Sequence, residues 1–235
     1  MAPHNKTKTY KKKLASSATT RPPAQQPLVM TRQQHCASAY IRRGFDIFSA
    51  GAGLIVLTPL MGVIALAVTL DSRGPALFHQ KRIGKDGIPF YICKFRSMRT
   101  DHDGLAVSTS ADNRVTRVGR VLRKTKLDEI PQLYNVLAGD MSLVGPRPEV
   151  PQYARLWPRD AAKVIVSARP GITDPVSIKY RNEADVLAQA EDAEAYYVNV
   201  LLPEKAHAYA DYIRTRTLAS DLRIVIETLK AVVSG

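Results

Sequence analysis

The stretch IFSAGAGLIVLTPLMGVIALAVTL, residues 47–70, decides the architecture, because it runs for 24 residues without a charge. At 1.5 Å per residue a straight helix of that length reaches about 36 Å, more than the ~30 Å hydrocarbon layer of a bilayer. A spanning helix is the plain reading. Pro59 opens another, since it splits the run into 12 residues before it and 11 after, each about half a bilayer deep. Backbone groups freed at Pro59 need local partners in lipid, and the Thr58 hydroxyl is placed to serve them. Arg42 and Arg43 stand before the run and Arg73, Lys81 and Arg82 after it, so the positive-inside rule sends both flanks to the cytoplasm. The residues alone leave spanning and re-entry open. Ala65 and Ala67 mimic a cleavage site, but more than forty residues precede the run, which argues against a signal peptide.

Ahead of this segment, nine basic residues and no acid occur up to Arg43, which accounts for most of the formal charge of +13. The remainder holds 25 basic residues against 21 acidic. Residues 1–36 are rich in Pro, Gln, Ser and Thr and read as a disordered basic tail, residues 37–72 as the membrane segment, and residues 73–235 as one catalytic domain. A chain of 235 residues with 45% hydrophobic content supports one good core. Two cysteines, Cys36 and Cys93, form neither a disulfide framework nor a paired zinc spacing, which favours a reducing compartment.

Beyond the membrane segment, residues 76–83 and 88–95 are apolar-rich runs separated by Gly84, Lys85, Asp86 and Gly87, the composition of a β-hairpin. Alternation in the second run places Lys94 and Arg96 on one face. Residues 101–116 read as a long polar loop leading into the basic stretch 117–126. A helix is expected from near Asp128, with Pro131 in its first turn and Gly139 as its stop. Residues 183–202 and 204–233 read as amphipathic helices, with Pro203 and Ser220 marking breaks or starts. Tyr196, Tyr197, Tyr209, Tyr212 and Ile213 form an aromatic and apolar face that reads as core first and membrane contact second. The fold class is α+β, membrane-associated and mainly helical, with a small β-hairpin or sheet.

Asp128 and Glu129 are adjacent acids at a helix start, preceded by Arg123, Lys124 and Lys126. Capping explains them cheaply, because acids at a helix N-terminus oppose its dipole. The same field would hold two carboxylates ionised, as a nucleophile and a metal ligand require. Pro146 and Pro148 fix the backbone on both sides of Arg147, and Arg169 stands beside Pro170 and Gly171, so each guanidinium is carried on a rigid segment suited to phosphate. Basic elements around an acid pair fit a polyanionic substrate with its magnesium ion.

Residues 94–98 (KFRSM), 123–133 (RKTKLDEIPQL), 142–148 (SLVGPRP) and 169–173 (RPGIT) together resemble the bacterial sugar transferases, monotopic polyprenyl-phosphate phosphoglycosyl transferases that initiate glycan assembly. The resemblance implies a re-entrant helix broken at Thr58 and Pro59, and transfer of a sugar phosphate from a nucleoside diphosphate sugar, with UDP the expected nucleotide, to polyprenyl (undecaprenyl) phosphate. It implies Asp128 as nucleophile, Asp128 and Glu129 at Mg2+, and Lys94, Arg96, Arg123, Arg147 and Arg169 at the substrates. After Thr173 the chain departs from the commonest pattern of a glycine, a tryptophan and an Asn-Gly-Arg cluster. That leaves the donor sugar open and brings in Arg181 as a further substrate-binding candidate.

The resemblance places the enzyme at the bacterial inner (cytoplasmic) membrane, facing the cytoplasm, with membrane lipids as partners and a homodimer left open. No nucleic-acid partner is expected, because the folded part carries little excess charge and no recognisable nucleic-acid motif. The rival from another class is a non-enzymatic, membrane-tethered scaffold of an envelope glycan assembly complex, in which Asp128 and Glu129 would be caps alone.

Overall fold

A computed structural model describes residues 32–99, 112–180 and 183–233. The basic tail ahead of residue 32, most of the polar loop and Arg181 lie outside them.

The apolar run sits inside one long helix, α1 (Arg32–Asp71), with Pro59 in its interior. Proline has no N–H for the helical ladder, and beside it the Thr58 hydroxyl donates to the Leu54 carbonyl at 2.6 Å. Large apolar side chains along α1 face outward; Ile55 and Leu70 are each 78% exposed. Among the described residues α1 is the one helix long and apolar enough to cross a membrane.

Both ends of α1 are tied to the rest of the chain. Towards the start, Arg42 pairs with Asp221 at 2.5 Å, and Asp46 accepts from Ser142 Oγ and Leu143 N at 2.8 and 2.9 Å. Towards the finish, Asp71 accepts from the Val118 N–H at 2.9 Å, while Ile64 and Val68 bury against Phe95 and Leu122.

The hairpin forms as expected, with β1 (Leu77–Ile83) antiparallel to β2 (Pro89–Phe95) in the register Leu77↔Phe95 to Ile83↔Pro89. Asp86 at φ 58° and Gly87 at φ 75° supply the left-handed backbone of its turn. Helix α2 (Arg117–Thr125) is capped by Thr116, whose hydroxyl accepts from the Gly119 N–H. A single 3-10 turn (Leu127–Glu129) precedes α3 (Gln132–Ala138), which ends at Gly139 with φ 99°.

Next come β3 (Ser142–Val144), the short helices α4 (Pro151–Ala154) and α5 (Arg159–Ile165), and β4 (Gly171–Thr173), which runs parallel to β3. Gly145 and Gly171 are required here: a β-carbon on either would fall inside the other segment's backbone. The chain continues through α6 (Pro175–Lys179), α7 (Glu183–Ala188) and α8 (Ala193–Tyr196). A π turn (Tyr197–Leu201) then leads into α9 (Leu202–Thr215) and α10 (Leu218–Val233).

This end of the chain corrects the two-helix expectation. Residues 183–202 do not form one helix, because Asp192 starts a new one by accepting from the Ala195 N–H at 2.9 Å. Pro203 marks a start rather than a break: it is the second residue of α9, and the preceding Leu202 N–H reaches back to the Tyr197 carbonyl in the π turn. Ser220 does mark a start, since its N–H and hydroxyl exchange hydrogen bonds with Thr217. Tyr197, Tyr209 and Tyr212 are buried in the core.

Candidate active site

Helix α2 stops at Thr125, and Lys126 turns into the left-handed region at φ 60°, ψ 14°. That reversal drives the 3-10 turn inward and buries Asp128 and Glu129, which are only 6% and 9% exposed. Neither caps a helix. Helix α3 begins beyond them, with Pro131 at its N-cap and no side-chain cap bond. The capping role is thereby removed by the intervening turn.

Arg147 occupies the rigid Pro146–Pro148 segment, which is pinned by Gly145 N–H to the Thr173 carbonyl and by Gly171 N–H to the Pro146 carbonyl. Its guanidinium grips Glu129 with both terminal nitrogens, Nη2 to Oε1 at 2.5 Å and Nη1 to Oε2 at 3.3 Å. Burial opposes ionisation of Glu129, but the charge and hydrogen bonds of Arg147 win and lower its pKa to about 2. Asp128 goes the other way. Its Oδ1 is buried with no hydrogen-bond partner, and burial together with the Glu129 charge pushes its pKa up to about 6. Four residues on, the Gln132 side-chain nitrogen is likewise buried and unpartnered. Two adjacent acids thus hold opposite proton affinities, the pattern by which environment assigns different roles to neighbouring groups.

Lys94, on β2, lies over the Phe78 ring at 5.5 Å, and its charge acts on both Asp128 and Glu129. Burial, then repulsion from Arg82, lowers its pKa to about 8. Lys126 and Arg82 also belong to this field, Lys126 acting on both acids and Arg82 pairing with Glu149 at 3.3 Å. Sequence reasoning missed Arg82 as a site residue; only its place on a strand paired with the Lys94 strand could have raised it.

The structure therefore gathers Lys94, Asp128, Glu129 and Arg147. Arg123 is half-buried in the last turn of α2, leading into the acid pair. Arg96 does not share the Lys94 face: β2 ends at Phe95, and the buried Arg96 guanidinium donates to the Val68, Ser72 and Arg73 carbonyls at the end of α1. Arg169 is turned to the far end of α3, where Nε donates to the Gly139 carbonyl at 2.9 Å. Thr58 and Pro59 stand in the exposed apolar part of α1, apart from these groups.

Among the described residues no three His, Cys, Asp or Glu side chains are grouped as a protein-only metal cage. Magnesium does not need one, because it takes one or two carboxylates and completes its shell with water and substrate phosphate. The orphaned Oδ1 of Asp128 is a hard oxygen donor that fits that requirement, whereas both Glu129 oxygens already accept from Arg147 and would serve a metal only through their remaining lone pairs.

The bacterial sugar transferase family model matches residues 37–235. A UDP-glucose:undecaprenyl-phosphate glucose-1-phosphate transferase of Caulobacter vibrioides is 40% identical over 199 residues, 82% of this chain and 70% of that protein. A UDP-N-acetylgalactosamine-undecaprenyl-phosphate N-acetylgalactosaminephosphotransferase of Aeromonas hydrophila is 38% identical over 203 residues, covering 84% of this chain and 44% of its own length. The exopolysaccharide production protein PSS of Rhizobium leguminosarum is 51% identical over 110 residues, 46% of this chain and 55% of that protein. The chain thus spans about half the length of the latter two. With its acid pair, its proline-flanked arginine and a match over nearly all of its folded part, the chain belongs to the bacterial sugar transferase family of enzymes.

Proposed function

We propose that the protein transfers a sugar phosphate from a UDP-sugar to undecaprenyl phosphate, as the first membrane step of polysaccharide or glycoconjugate synthesis. One observation carries the reading: of two buried, non-capping acids, one is locked to Arg147 and the other presents an unpartnered oxygen amid cations. An Asp128 oxygen attacks the β-phosphorus of the donor, forming an acyl phosphate that carries the sugar as the bond to the bridging oxygen breaks and UMP leaves. The phosphate oxygen of the lipid acceptor then attacks the same phosphorus, and Asp128 leaves as a free carboxylate. Lys94, Lys126 and Arg147 offset charge on the equatorial oxygens, the dominant need in phosphoryl transfer. Asp128 and Glu129 would hold Mg2+, which when bound neutralises diphosphate charge.

The same reading puts α1 in the inner membrane as a re-entrant element, with the catalytic part on the cytoplasmic face. Its support is the tethering of both α1 ends, through Arg42 and Asp71, to one folded domain, which a helix with ends on opposite faces cannot provide. The test is UMP release from a panel of UDP-sugars by membrane-inserted enzyme. Wild type should release UMP and form a phosphosugar adduct on the peptide bearing Asp128; Asp128→Asn should do neither. An active Asp128→Asn enzyme overturns the proposal in favour of a scaffold role.

A further inference from the structure

Arg147 has a second neighbourhood. It lines a cavity of about 150 Å³ whose other walls come from β1, the segment after Pro148, α7, the π turn and α9. The charges in these walls are already matched. Lys205 meets Glu183 at 2.7 Å and Arg82 meets Glu149 at 3.3 Å, while the Tyr197 hydroxyl donates to Glu149 at 2.5 Å. A phosphate entering here would face two carboxylates and cations already engaged.

A neutral ligand with many hydroxyls suits the cavity better, because carboxylate oxygens accept and ammonium or guanidinium groups donate without any net charge to be met. The Tyr153 and Tyr197 rings, packed on each other with 5.1 Å between centroids, complete the lining. One buried polar atom of the lining, Arg82 Nε, has no hydrogen-bond partner, and the Tyr209 hydroxyl, on a residue only 4% exposed, has just the Ser177 side chain beside it. An unsatisfied buried donor of this kind marks a place for a missing partner. The volume accommodates roughly five waters at about 30 Å³ each, the scale of one monosaccharide ring.

We propose that this cavity receives the sugar ring of the donor, and that Tyr209, Glu183 and Lys205 discriminate among sugars. The inference rests on the sugar-phosphate transfer reading above and extends it. Arg147, shared by the cavity and the acid pair, brings the sugar end of the donor beside its phosphate over Asp128. Discrimination then lies in the C-terminal helices, whereas the acid pair and the proline-flanked arginine supply chemistry common to every donor.

The test uses full-length, membrane-inserted enzyme with UDP-glucose, UDP-galactose and their N-acetylated counterparts, and UDP alone as an inhibitor. Tyr209→Phe and Glu183→Gln should each change the ratio of kcat/KM between epimeric donors by about 3- to 10-fold, the effect of one hydrogen bond. Most of that change should be in KM, with inhibition by UDP within twofold of wild type. Unchanged donor ratios in both variants, or UDP binding weakened as much as donor binding, would overturn the sugar pocket. Failure of the wild type to release UMP from any donor would instead overturn the underlying transferase reading.

Discussion

Arg147 holds Glu129 with a two-pronged ion pair at 2.5 and 3.3 Å, and so leaves its neighbour Asp128 as the acid without a partner. The two residues must therefore respond differently to neutralisation. Glu129→Gln strips Arg147 of its counter-charge and should cost about 1–3 kcal/mol, less than a fully buried pair because the Arg147 side chain is 40% exposed. Asp128→Asn removes a charge that burial disfavours and should leave the melting temperature equal or higher. Both should abolish turnover. Thermal melts of the two variants, side by side, check the contrast; equal destabilisation would show that Asp128 has a partner.

Turnover should depend on pH through both limbs of a bell. As the proposed nucleophile Asp128 must be ionised to attack, and burial with the Glu129 charge raises its pKa to about 6 without metal, so kcat/KM should rise with pH on the acid side, with a midpoint below about 6 once Mg2+ is bound. Lys94 must stay protonated, and its pKa is lowered to about 8, so activity should fall as pH passes upward through about 8. Lys94→Arg keeps its charge and should carry the alkaline limb outward. Stability has its own signs: the raised Asp128 pKa means that stability declines as pH rises from about 4 to 6, while the lowered Glu129 pKa adds stability above about 4.5 that is lost on acidification towards 2.

Gln132 is 1% exposed and its amide nitrogen is unpartnered. A buried orphan donor costs about 1–3 kcal/mol, so Gln132→Leu should raise the melting temperature. If the amide serves the substrate, kcat/KM should fall at least 10-fold in the same protein. Stability gained without activity lost would make Gln132 a plain packing residue.

Gly171→Ala tests the seat of Arg147. The added methyl meets the Gly145 backbone, which cannot yield as a side chain tip would. The expected result is destabilisation of about 2–3 kcal/mol with a larger loss of activity than of stability. Gly87→Ala, whose added carbon meets nothing in the hairpin turn but carries strain at φ 75°, is the control and should lower stability with kcat/KM of the folded fraction preserved.

For topology, single cysteines at Tyr40 and Pro75, in a background lacking Cys36, should both react with a membrane-impermeant thiol reagent from the cytoplasmic side. Reaction from opposite sides would restore the spanning helix.

Much of this was legible because certain residues act locally. The hairpin turn, the Pro131 and Gly139 limits of the helix after the acid pair, and the rigidity of Arg147 follow from backbone rules that need no tertiary context. What was hidden depends on distant partners. Arg96 and Arg169 look like substrate cations, yet helix-end carbonyls claim them, and nothing in an arginine's sequence neighbourhood says which oxygen it will reach. The acid pair reads as a cap until one 3-10 turn, set by the left-handed Lys126, moves the helix start on to Gln132. Tyr209 was visible only as an apolar core position, because its pattern carries no sign of the cavity it lines.

Arg43, on α1, donates to the carbonyls of Val136 and Leu137 at one end of α3, whose other end follows the acid pair. Helix α1 and the acid pair are thus joined by a strut of seven residues, about 10 Å at 1.5 Å per residue. With α1 seated in a bilayer, its depth sets the altitude of Asp128 above the headgroup plane. A thicker or thinner membrane would present the acceptor phosphate at another height, making bilayer thickness a variable in the encounter between the lipid carrier and the carboxylate.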